Sequence, residues 1–268
     1  MHSPFKLAHF LAIAGIACGS GAHAAIVTPA SLGNWSPAPF GGGSTAISST
    51  FPRSGSGSVE ITLPDGSAGV DWTHQLTVPV ALSTFTGGAY EYWRASASTN
   101  PAIQAPAYAL LIDNDCSAAT TADQAYLVYE PYYQTPAVTA LPTDQWVGET
   151  ITPASVVWPI EGVVPWSSQP LSSYMNNSAS GGTAIRGTSC ILAVVPFAGS
   201  GWVGAFHGAI DNVRLAAGGI ELVNANFEPS PPTAPVPVPT LSQWGLGLMV
   251  LLLGAMGFQR SRRASAKV

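Results

Sequence analysis

The sequence has little charge, and very little of that charge is positive. Only 9% of its residues are Asp, Glu, Lys or Arg, and no lysine occurs between Ala25 and Glu228. Helix-rich enzymes expose many charged side chains, so this scarcity argues against that class of protein. The four arginines of this stretch stand against all fourteen acids of the chain, a net charge of −10. Such a surface repels phosphate backbones and excludes nucleic-acid binding.

The sequence also lacks the usual signs of a catalytic site. No serine stands in a G-x-S-x-G nucleophile elbow, and the stretch from Ala25 to Glu228 holds two histidines, His74 and His207. The acids available for glycoside hydrolysis are Glu91, Glu130, Asp144 and Glu149. No pattern selects a pair among them. We therefore expect a protein that is not an enzyme.

The first 24 residues have the pattern of a secretory signal peptide. Lys6 precedes a largely apolar run, and small residues lead to a cleavage site between Ala24 and Ala25. Cys18 lacks the preceding residues of a lipoprotein signal, so lipidation is the lesser alternative. The mature N-terminus is therefore expected outside the cytoplasm.

Cysteine is scarce, and beyond the signal peptide only Cys116 and Cys190 remain. In an oxidising compartment a disulfide is the natural interpretation. Closing a loop of about 75 residues would stabilise the fold by about 4 kcal/mol through the lost entropy of the unfolded chain. A metal site and a catalytic thiol are the alternatives. No histidine set accompanies the cysteines, and an exported free thiol would be open to oxidation.

Residues 25–228 are expected to form one exported domain. Gly and Pro number 28 and 23 in the chain, and turn residues separate short segments that alternate between apolar and polar positions. Strands are predicted near 25–28 and at 58–63, 70–80, 89–94, 108–112, 125–131, 145–152, 155–160, 190–197, 202–206 and 210–215, with one helical turn near 171–177. This pattern predicts an all-β fold, a two-sheet antiparallel β-sandwich.

Two groups of acids have a predicted role. Asp113 and Asp115 lie where an apolar strand ends, and their carboxylates could hold Ca²⁺, the one cofactor considered. The EF-hand spacing is broken after these two positions, so a solvated turn is the alternative. Asp211 and Glu228 are expected instead to bind backbone amides near the closing strand of the domain.

The exported stretch is rich in aromatic residues, which either fill a core or stack on sugar rings. They include Trp93, Trp146, Trp158, Trp166, Trp202, Tyr129, Tyr132 and Tyr133. Tyr132 and Tyr133 are the best candidates for a glycan platform. They follow Pro131 at a strand end, and adjacent residues of a strand face opposite ways.

The C-terminus combines a spacer, a motif, an apolar span and a basic tail. Residues 229–238 are rich in proline and predict an extended linker. The motif residues are Val238, Pro239, Thr240, Leu241, Trp244 and Gly245. The span from Leu246 to Phe258 has thirteen residues, short of the about 20 that a transmembrane helix needs. Arg260, Arg262 and Arg263 follow it, and this basic stop is expected in the cytoplasm.

Residues 239–268, with Val238, resemble the IPTL-CTERM sorting signal, in which isoleucine usually stands at the first position. The resemblance implies a membrane-embedded cysteine protease of the exosortase superfamily as partner, which removes the span and transfers the protein to another anchor. An ordinary C-terminal membrane anchor is the alternative.

Segments of the exported domain carry a second, less specific resemblance. They are 111–115, 127–133, 199–202, 209–215 and 226–228. These segments resemble jelly-roll domains of exported bacterial proteins with such tails, which are similar in fold to galactose-binding-like and other carbohydrate-binding modules. The resemblance implies a fold and supplies no ligand.

Three functions are therefore expected, in this order. The first is a non-catalytic structural or adhesive protein of a Gram-negative-type cell envelope or extracellular matrix. The second is a carbohydrate-binding module acting on exopolysaccharide, which exposed aromatic residues in a groove would favour. The third is a glycoside hydrolase. In each case the chain would pass through the inner membrane with its C-terminus cytoplasmic and then reach the cell surface or matrix.

Overall fold

The exported domain is built almost entirely from β-strands. In a computed structural model of the protein, residues 23–117, 120–134, 139–161, 167–231 and 250–253 are described. The strands are β1 (Ala25–Val27), β2 (Trp35–Phe40), β3 (Ser44–Arg53), β4 (Gly57–Leu63), β5 (Gly69–Ala81), β6 (Phe85–Arg94), β7 (Ala107–Asp113), β8 (Gln124–Tyr129), β9 (Trp146–Ile151), β10 (Val156–Ile160), β11 (Gln169–Pro170), β12 (Cys190–Gly199), β13 (Phe206–Ala217) and β14 (Ile220–Phe227). The predicted helical turn is the short helix α1 (Leu171–Met175). Two 3-10 turns lie at Leu82–Thr84 and Pro131–Tyr133.

The first sheet is organised around the long strand β13. One edge of β13 pairs with β4 and then with β14, while its other edge pairs with β6. Strands β3 and β9 lie outside β4 and β6. These pairs are antiparallel, whereas the short strand β1 runs parallel to β14.

The second sheet has the strand order β11-β10-β8-β7-β12-β5-β2, and its pairs are antiparallel. Neighbours in this sheet come from distant parts of the chain, since β12 pairs with both β5 and β7. A register shift interrupts β12 between Ile191 and Ala193.

Apolar residues at alternate strand positions form the core between the two sheets. On β4, Val59, Ile61 and Leu63 are buried, whereas Glu60 and Thr62 face outward. Large side chains such as Tyr90 and Tyr108 are fully buried in this layer. A layer of side chains shared by two sheets defines a β-sandwich, so the predicted fold class is confirmed.

Several strand predictions were incomplete, for reasons visible in the structure. Strands β2 and β3 went unpredicted because β2 contains Pro37 and Pro39 and β3 is a polar edge strand without clean alternation. Strand β14 was also missed. The strand predicted at 202–206 is wrong before Phe206, because Gly204 at φ +89° belongs to a loop that leads into β13.

The two ends of the chain are described only in part. The chain divides into two compact units, Met1–Pro231 and Pro232–Val268. The signal helix predicted at 1–24 lies outside the described residues except for residues 23 and 24. Of the predicted span Leu246–Phe258, residues 250–253 are described, and they are helical and exposed. Within the described residues, no helix is both long and apolar enough to cross a membrane.

Candidate functional site

The outward side of the second sheet is apolar, and we call it the aromatic face. Its floor consists of the small or branched residues Ala107, Ala109, Val128, Ala193 and Val195, all buried. Larger side chains pack against this floor, namely Leu111, Tyr126, Trp158 and Phe197. Phe40 on the edge strand β2 also borders the face and is 43% exposed. Trp158 and Phe40 lie on the flanking strands β10 and β2, whereas Leu111, Tyr126 and Phe197 rise from the same strands as the floor. The larger side chains therefore border a groove above the small ones.

Strand register brings these residues together from five strands. Trp158 on β10 stands beside Val128 on β8, which is followed across the sheet by Ala109 on β7 and Val195 on β12. In a second row, Phe197 on β12 lies between Ala107 on β7 and Asp71 on β5. Alternate residues of each strand share a face, so both rows project to the same side.

A pocket of about 280 Å³ lies at one end of the aromatic face. Tyr132 and Tyr133, the predicted platform, line it together with Trp158, Trp202 and Glu130. The rings of Tyr132 and Tyr133 meet edge to face at 4.9 Å, and Tyr132 is 36% exposed. Flat rings beside a carboxylate provide stacking surface and a hydrogen-bond acceptor at one place.

Gln134 holds the end of β8 against β10 and so positions the tyrosines that precede it. Its side-chain Nε2 donates to the backbone carbonyl oxygens of Glu130 and Val156, each at 2.9 Å. Its Oε1 accepts from the Val156 backbone N–H at 3.0 Å. The loop bearing Tyr132 and Tyr133 is thereby fixed at both of its ends.

Glu130 faces this pocket from the end of β8. Its Oε2 accepts a hydrogen bond from Trp158 Nε1 at 3.1 Å. Burial raises the pKa of Glu130, and the hydrogen bond from Trp158 opposes that shift. The same contact orients the Trp158 ring at the border of the pocket.

A second pocket, of about 170 Å³, lies on the same face and shares Ser200 with the first. Phe40, Tyr126 and Phe197 line it, and Asp71 supplies a carboxylate. Burial raises the pKa of Asp71. Burial and the nearby charge of Asp71 raise the pKa of Tyr126. Each pocket thus combines aromatic rings with one acid.

No basic side chain lines either pocket among the described residues. Arg53 and Arg214 form ion pairs with glutamates on the first sheet. Arg94 is buried and donates to backbone carbonyl oxygens, as does Arg186. These four are all the arginines of residues 25–228, and that stretch has no lysine.

A third aspartate, Asp123, lies beside the two that were predicted to bind calcium. Carboxylate oxygens of Asp113, Asp115 and Asp123 all lie within 4.8 Å of one another. The backbone N–H of Ser117 donates to Asp113 Oδ1 at 3.0 Å and to Asp115 Oδ1 at 2.8 Å. The structure therefore brings together both predicted residues, and calcium there stays a prediction.

The predicted disulfide between Cys116 and Cys190 is confirmed. It joins the loop after β7 to the first residue of β12, and these strands are already paired through Asp113 and Cys190. The bond therefore fastens two neighbouring strands at the end of the sheet opposite the glycine-rich loop at 199–201.

The residues considered for catalysis have other partners. Glu91 binds Arg53 at 2.6 Å, Glu149 accepts from the Tyr129 hydroxyl at 2.6 Å, and Asp144 accepts from the Ser96 backbone N–H at 2.9 Å. His207 Nε2 lies 2.8 Å from Glu60 Oε1, but Ser48 donates to the glutamate and not to the histidine. His74 packs edge to face on Trp35 at 4.9 Å.

Asp211 and Glu228 bind backbone amides, as expected. Asp211 Oδ1 accepts from Phe227 N at 2.9 Å, and Glu228 Oε2 accepts from Ser56 N at 2.8 Å. Asn226 Nδ2 donates to the Ser54 carbonyl oxygen at 3.0 Å. The hairpin between β3 and β4 thus covers the end of the closing strand β14.

Sequence reasoning missed half of the aromatic face. Phe40, Asp71, Tyr126 and Phe197 were not singled out, although Asp71, Tyr126 and Phe197 occupy strand positions next to core residues. Alternation would have shown that these three point away from the core, whereas β2 offers no such pattern for Phe40. Among the other predicted residues, Trp166, the sorting-motif residues and the basic stop lie outside the described residues, and Ala25 begins β1.

Comparisons with known proteins find one family model and several structures. Residues 236–263 match the IPTL-CTERM motif, so the resemblance of the tail to this sorting signal is confirmed. The motif supports an exported, surface-sorted protein. No curated protein matches the sequence.

The solved structures similar to this chain share little sequence identity with it. The family 11 carbohydrate-binding module of Lic26A-Cel5E of Clostridium thermocellum is 14% identical, with 69% of this chain and 88% of that chain covered and a TM-score of 0.39. The CBM22-2 xylan-binding domain of Paenibacillus barcinonensis Xyn10C is 14% identical, with 69% and 92% covered and a TM-score of 0.35. The β-1,2-glucanase of Parabacteroides distasonis is 14% identical, with 76% and 24% covered and a TM-score of 0.36. These likenesses carry no argument about a ligand or an activity.

Proposed function

We propose that this protein is a non-catalytic, polysaccharide-binding protein of the cell surface or extracellular matrix. A secretory signal exports it, and its C-terminal sorting signal is processed by a membrane-embedded protease. The aromatic face of the second sheet then holds matrix polysaccharide. One observation carries the binding proposal: Phe40, Tyr126, Trp158 and Phe197 border one groove, and Tyr132 and Tyr133 stand at its end.

The chemistry of the groove suits a sugar chain. Sugar rings have apolar faces that stack on aromatic rings and hydroxyls that donate to carboxylates. The two pockets offer both kinds of contact, with Glu130 in one and Asp71 in the other. Two adjoining pockets along one face also suit an extended polymer better than a single small molecule.

Binding without catalysis is favoured by the arrangement of the acids. Glycosidases need two carboxyl groups about 5–9.5 Å apart on either side of the scissile bond. Asp71 lies on β5, and Glu130 follows β8, with β7 and β12 between these strands. Strands are spaced by about 4.8 Å, so three spacings place the two backbones about 14 Å apart. Glu130 is moreover hydrogen-bonded to Trp158 on β10, which lies on the side of β8 that faces away from β5, so the two acids are not arranged as a hydrolytic pair.

The binding proposal is tested by retention of the purified exported protein on insoluble polysaccharides, including matrix material from its own host. We expect specific retention, and we expect the double change Tyr132→Ala with Tyr133→Ala to weaken binding about tenfold or more, since it removes two rings from the groove. Phe40→Ala probes the second pocket in the same way. Failure of the wild-type protein to bind any glycan would reject the proposal.

A control variant separates loss of the groove from general loss of apolar surface. Ile220→Ala removes an apolar side chain that is 65% exposed and lies on the first sheet. It should leave retention unchanged. If Ile220→Ala and the tyrosine double variant weaken binding equally, the aromatic face is not the binding site.

A further inference from the structure

Within the part of the chain that the structure describes, the two acids of the aromatic face have no cationic partner. No described residue donates a hydrogen bond or forms an ion pair with the Asp71 carboxylate, although burial raises its pKa. Glu130 accepts a hydrogen bond from the neutral indole of Trp158. All four arginines of the exported stretch are engaged elsewhere. Two partly desolvated carboxylates therefore face the groove without a positive charge to balance them.

Uncompensated carboxylates in a groove discriminate among ligands by charge. A partly buried negative charge repels an acidic sugar, since the low local dielectric strengthens the repulsion. A neutral hydroxyl can donate a hydrogen bond to it. An ammonium group binds the carboxylate more strongly than a hydroxyl does, because a hydrogen bond between two charged groups is about twice as strong as a neutral one.

The aromatic rings favour the same kind of ligand. Tyr126 and Phe197 line the pocket that contains Asp71, and Trp158 adjoins Glu130. The faces of aromatic rings attract cations, most strongly where water is excluded. The net charge of −10 between Ala25 and Glu228 adds long-range attraction for a positively charged polymer.

We infer that the preferred ligand of the aromatic face is a glycan that carries free amino groups, such as a partly deacetylated amino-sugar polymer, with its ammonium groups at Asp71 and Glu130. This inference rests on the proposed polysaccharide binding and specifies its substrate class. The rings hold the sugar faces, and the carboxylates select the amine.

The test compares short oligosaccharides of equal length by calorimetry with the exported protein. The probes are β-1,4-linked glucosamine oligomers, their fully N-acetylated counterparts, neutral glucose oligomers and uronic acid oligomers. We expect the glucosamine oligomers to bind about tenfold or more tightly than the acetylated ones, which corresponds to the value of one added charge-assisted hydrogen bond. The uronic acid oligomers should bind most weakly.

Variants then assign the preference to the two carboxylates. Asp71→Asn and Glu130→Gln should reduce the preference for the free amine while binding to neutral oligomers persists. Glu221→Gln removes the same charge from the first sheet, where Glu221 pairs with Arg214, and it should keep the preference. This control separates recognition at the groove from general attraction between a polycation and an acidic protein.

The outcomes distinguish the two proposals. Equal affinity for free and acetylated oligomers, or a preference that Glu221→Gln lowers as much as Asp71→Asn does, overturns the amino-sugar inference and leaves polysaccharide binding in place. A lack of binding to all of these oligomers and to matrix polysaccharide overturns both.

Discussion

The carboxylate of Asp211 on β13 accepts a hydrogen bond from the backbone N–H of Phe227 on β14 at 2.9 Å. Asp211 is fully buried, and its other oxygen, Oδ2, has no hydrogen-bond partner in the described part of the chain. Asn212 at φ +51° forms a bulge at this point, where β13 changes its partner from β4 to β14. Asp211 thus holds the closing strand β14 in place, while one oxygen of its buried carboxyl group lacks a hydrogen bond in the described part of the chain.

The free energy of unfolding of the domain should fall as pH rises, because the pKa of the Asp211 carboxyl is raised. Burial, opposed by backbone hydrogen bonds and assisted by the charges of Glu228 and Glu91, raises its pKa from 3.8 to about 8. A raised acid pKa means that the folded state binds the proton more tightly, so the stabilisation is complete below the unfolded pKa and is lost as pH approaches 8. Between pH 5 and 7 this group should lower the free energy of unfolding by about 1.4 kcal/mol per pH unit.

Asp211→Asn isolates this contribution, because asparagine can still accept the bond from Phe227 N. Urea unfolding at several pH values should show a smaller loss of stability with rising pH in the variant than in the wild-type protein. The shifts of the other acids are common to both proteins. Identical pH dependence in the two would contradict the raised pKa.

The disulfide should contribute strongly to stability. Cys116 and Cys190 are separated by 74 positions, and closing such a loop stabilises a fold by about 4 kcal/mol. We expect the double change Cys116→Ser with Cys190→Ser to lower the free energy of unfolding by roughly this amount, measured by urea denaturation. Two free thiols in the native exported protein would show that the bond does not form.

Calcium should bind where Asp113, Asp115 and Asp123 converge, since three carboxylates within 4.8 Å repel one another until a cation neutralises them. Added Ca²⁺ should raise the thermal unfolding midpoint of the wild-type protein and produce a binding signal in calorimetry.

Asp115→Asn and Asp123→Asn should remove that effect without disturbing the buried Asp113. Magnesium serves as the ion control because it dehydrates reluctantly and requires strict octahedral geometry. An unfolding midpoint that does not depend on Ca²⁺ would show that the three aspartates form a solvated turn and do not bind calcium.

The sorting tail should be cut from the mature protein. Residues 236–263 match the IPTL-CTERM motif, so we expect the intact mass of protein from the host envelope to lack the apolar span and the basic tail. In a strain without the processing protease, the mass should extend to Val268. Changing Pro239 and Thr240 to alanine should block processing, whereas Ser230→Ala in the linker should not. Full-length mass in both strains would identify a plain membrane anchor.

Much of the fold could be predicted because local patterns specify strands. Val59, Ile61 and Leu63 alternate with polar residues and end at a Pro-Asp-Gly turn, and β4 lies where this pattern placed it. Strands β2 and β3 escaped prediction because edge strands need not bury one face and can carry proline or exposed serine and threonine.

The candidate site was predicted only where it is local in sequence. Tyr132 and Tyr133 adjoin each other in the chain, so their position at a strand end was visible. Asp123 escaped notice beside Asp113 and Asp115 because the antiparallel pairing of β7 with β8 is what returns it to them. Phe40, Tyr126 and Phe197 lie far apart in the chain, and strand order and register bring them to one pocket.

The sequence by itself determined the C-terminal sorting motif of this protein, its all-β fold class and the disulfide between Cys116 and Cys190. Those features depend on short motifs, alternation and composition, which operate over a few residues or over the whole chain. The tertiary structure alone decided that Trp158, Tyr126 and Phe197 border one groove and that Asp71 and Glu130 face it with no basic partner among the described residues. Strand register fixes which distant residues share a face, and that register results from packing two whole sheets together.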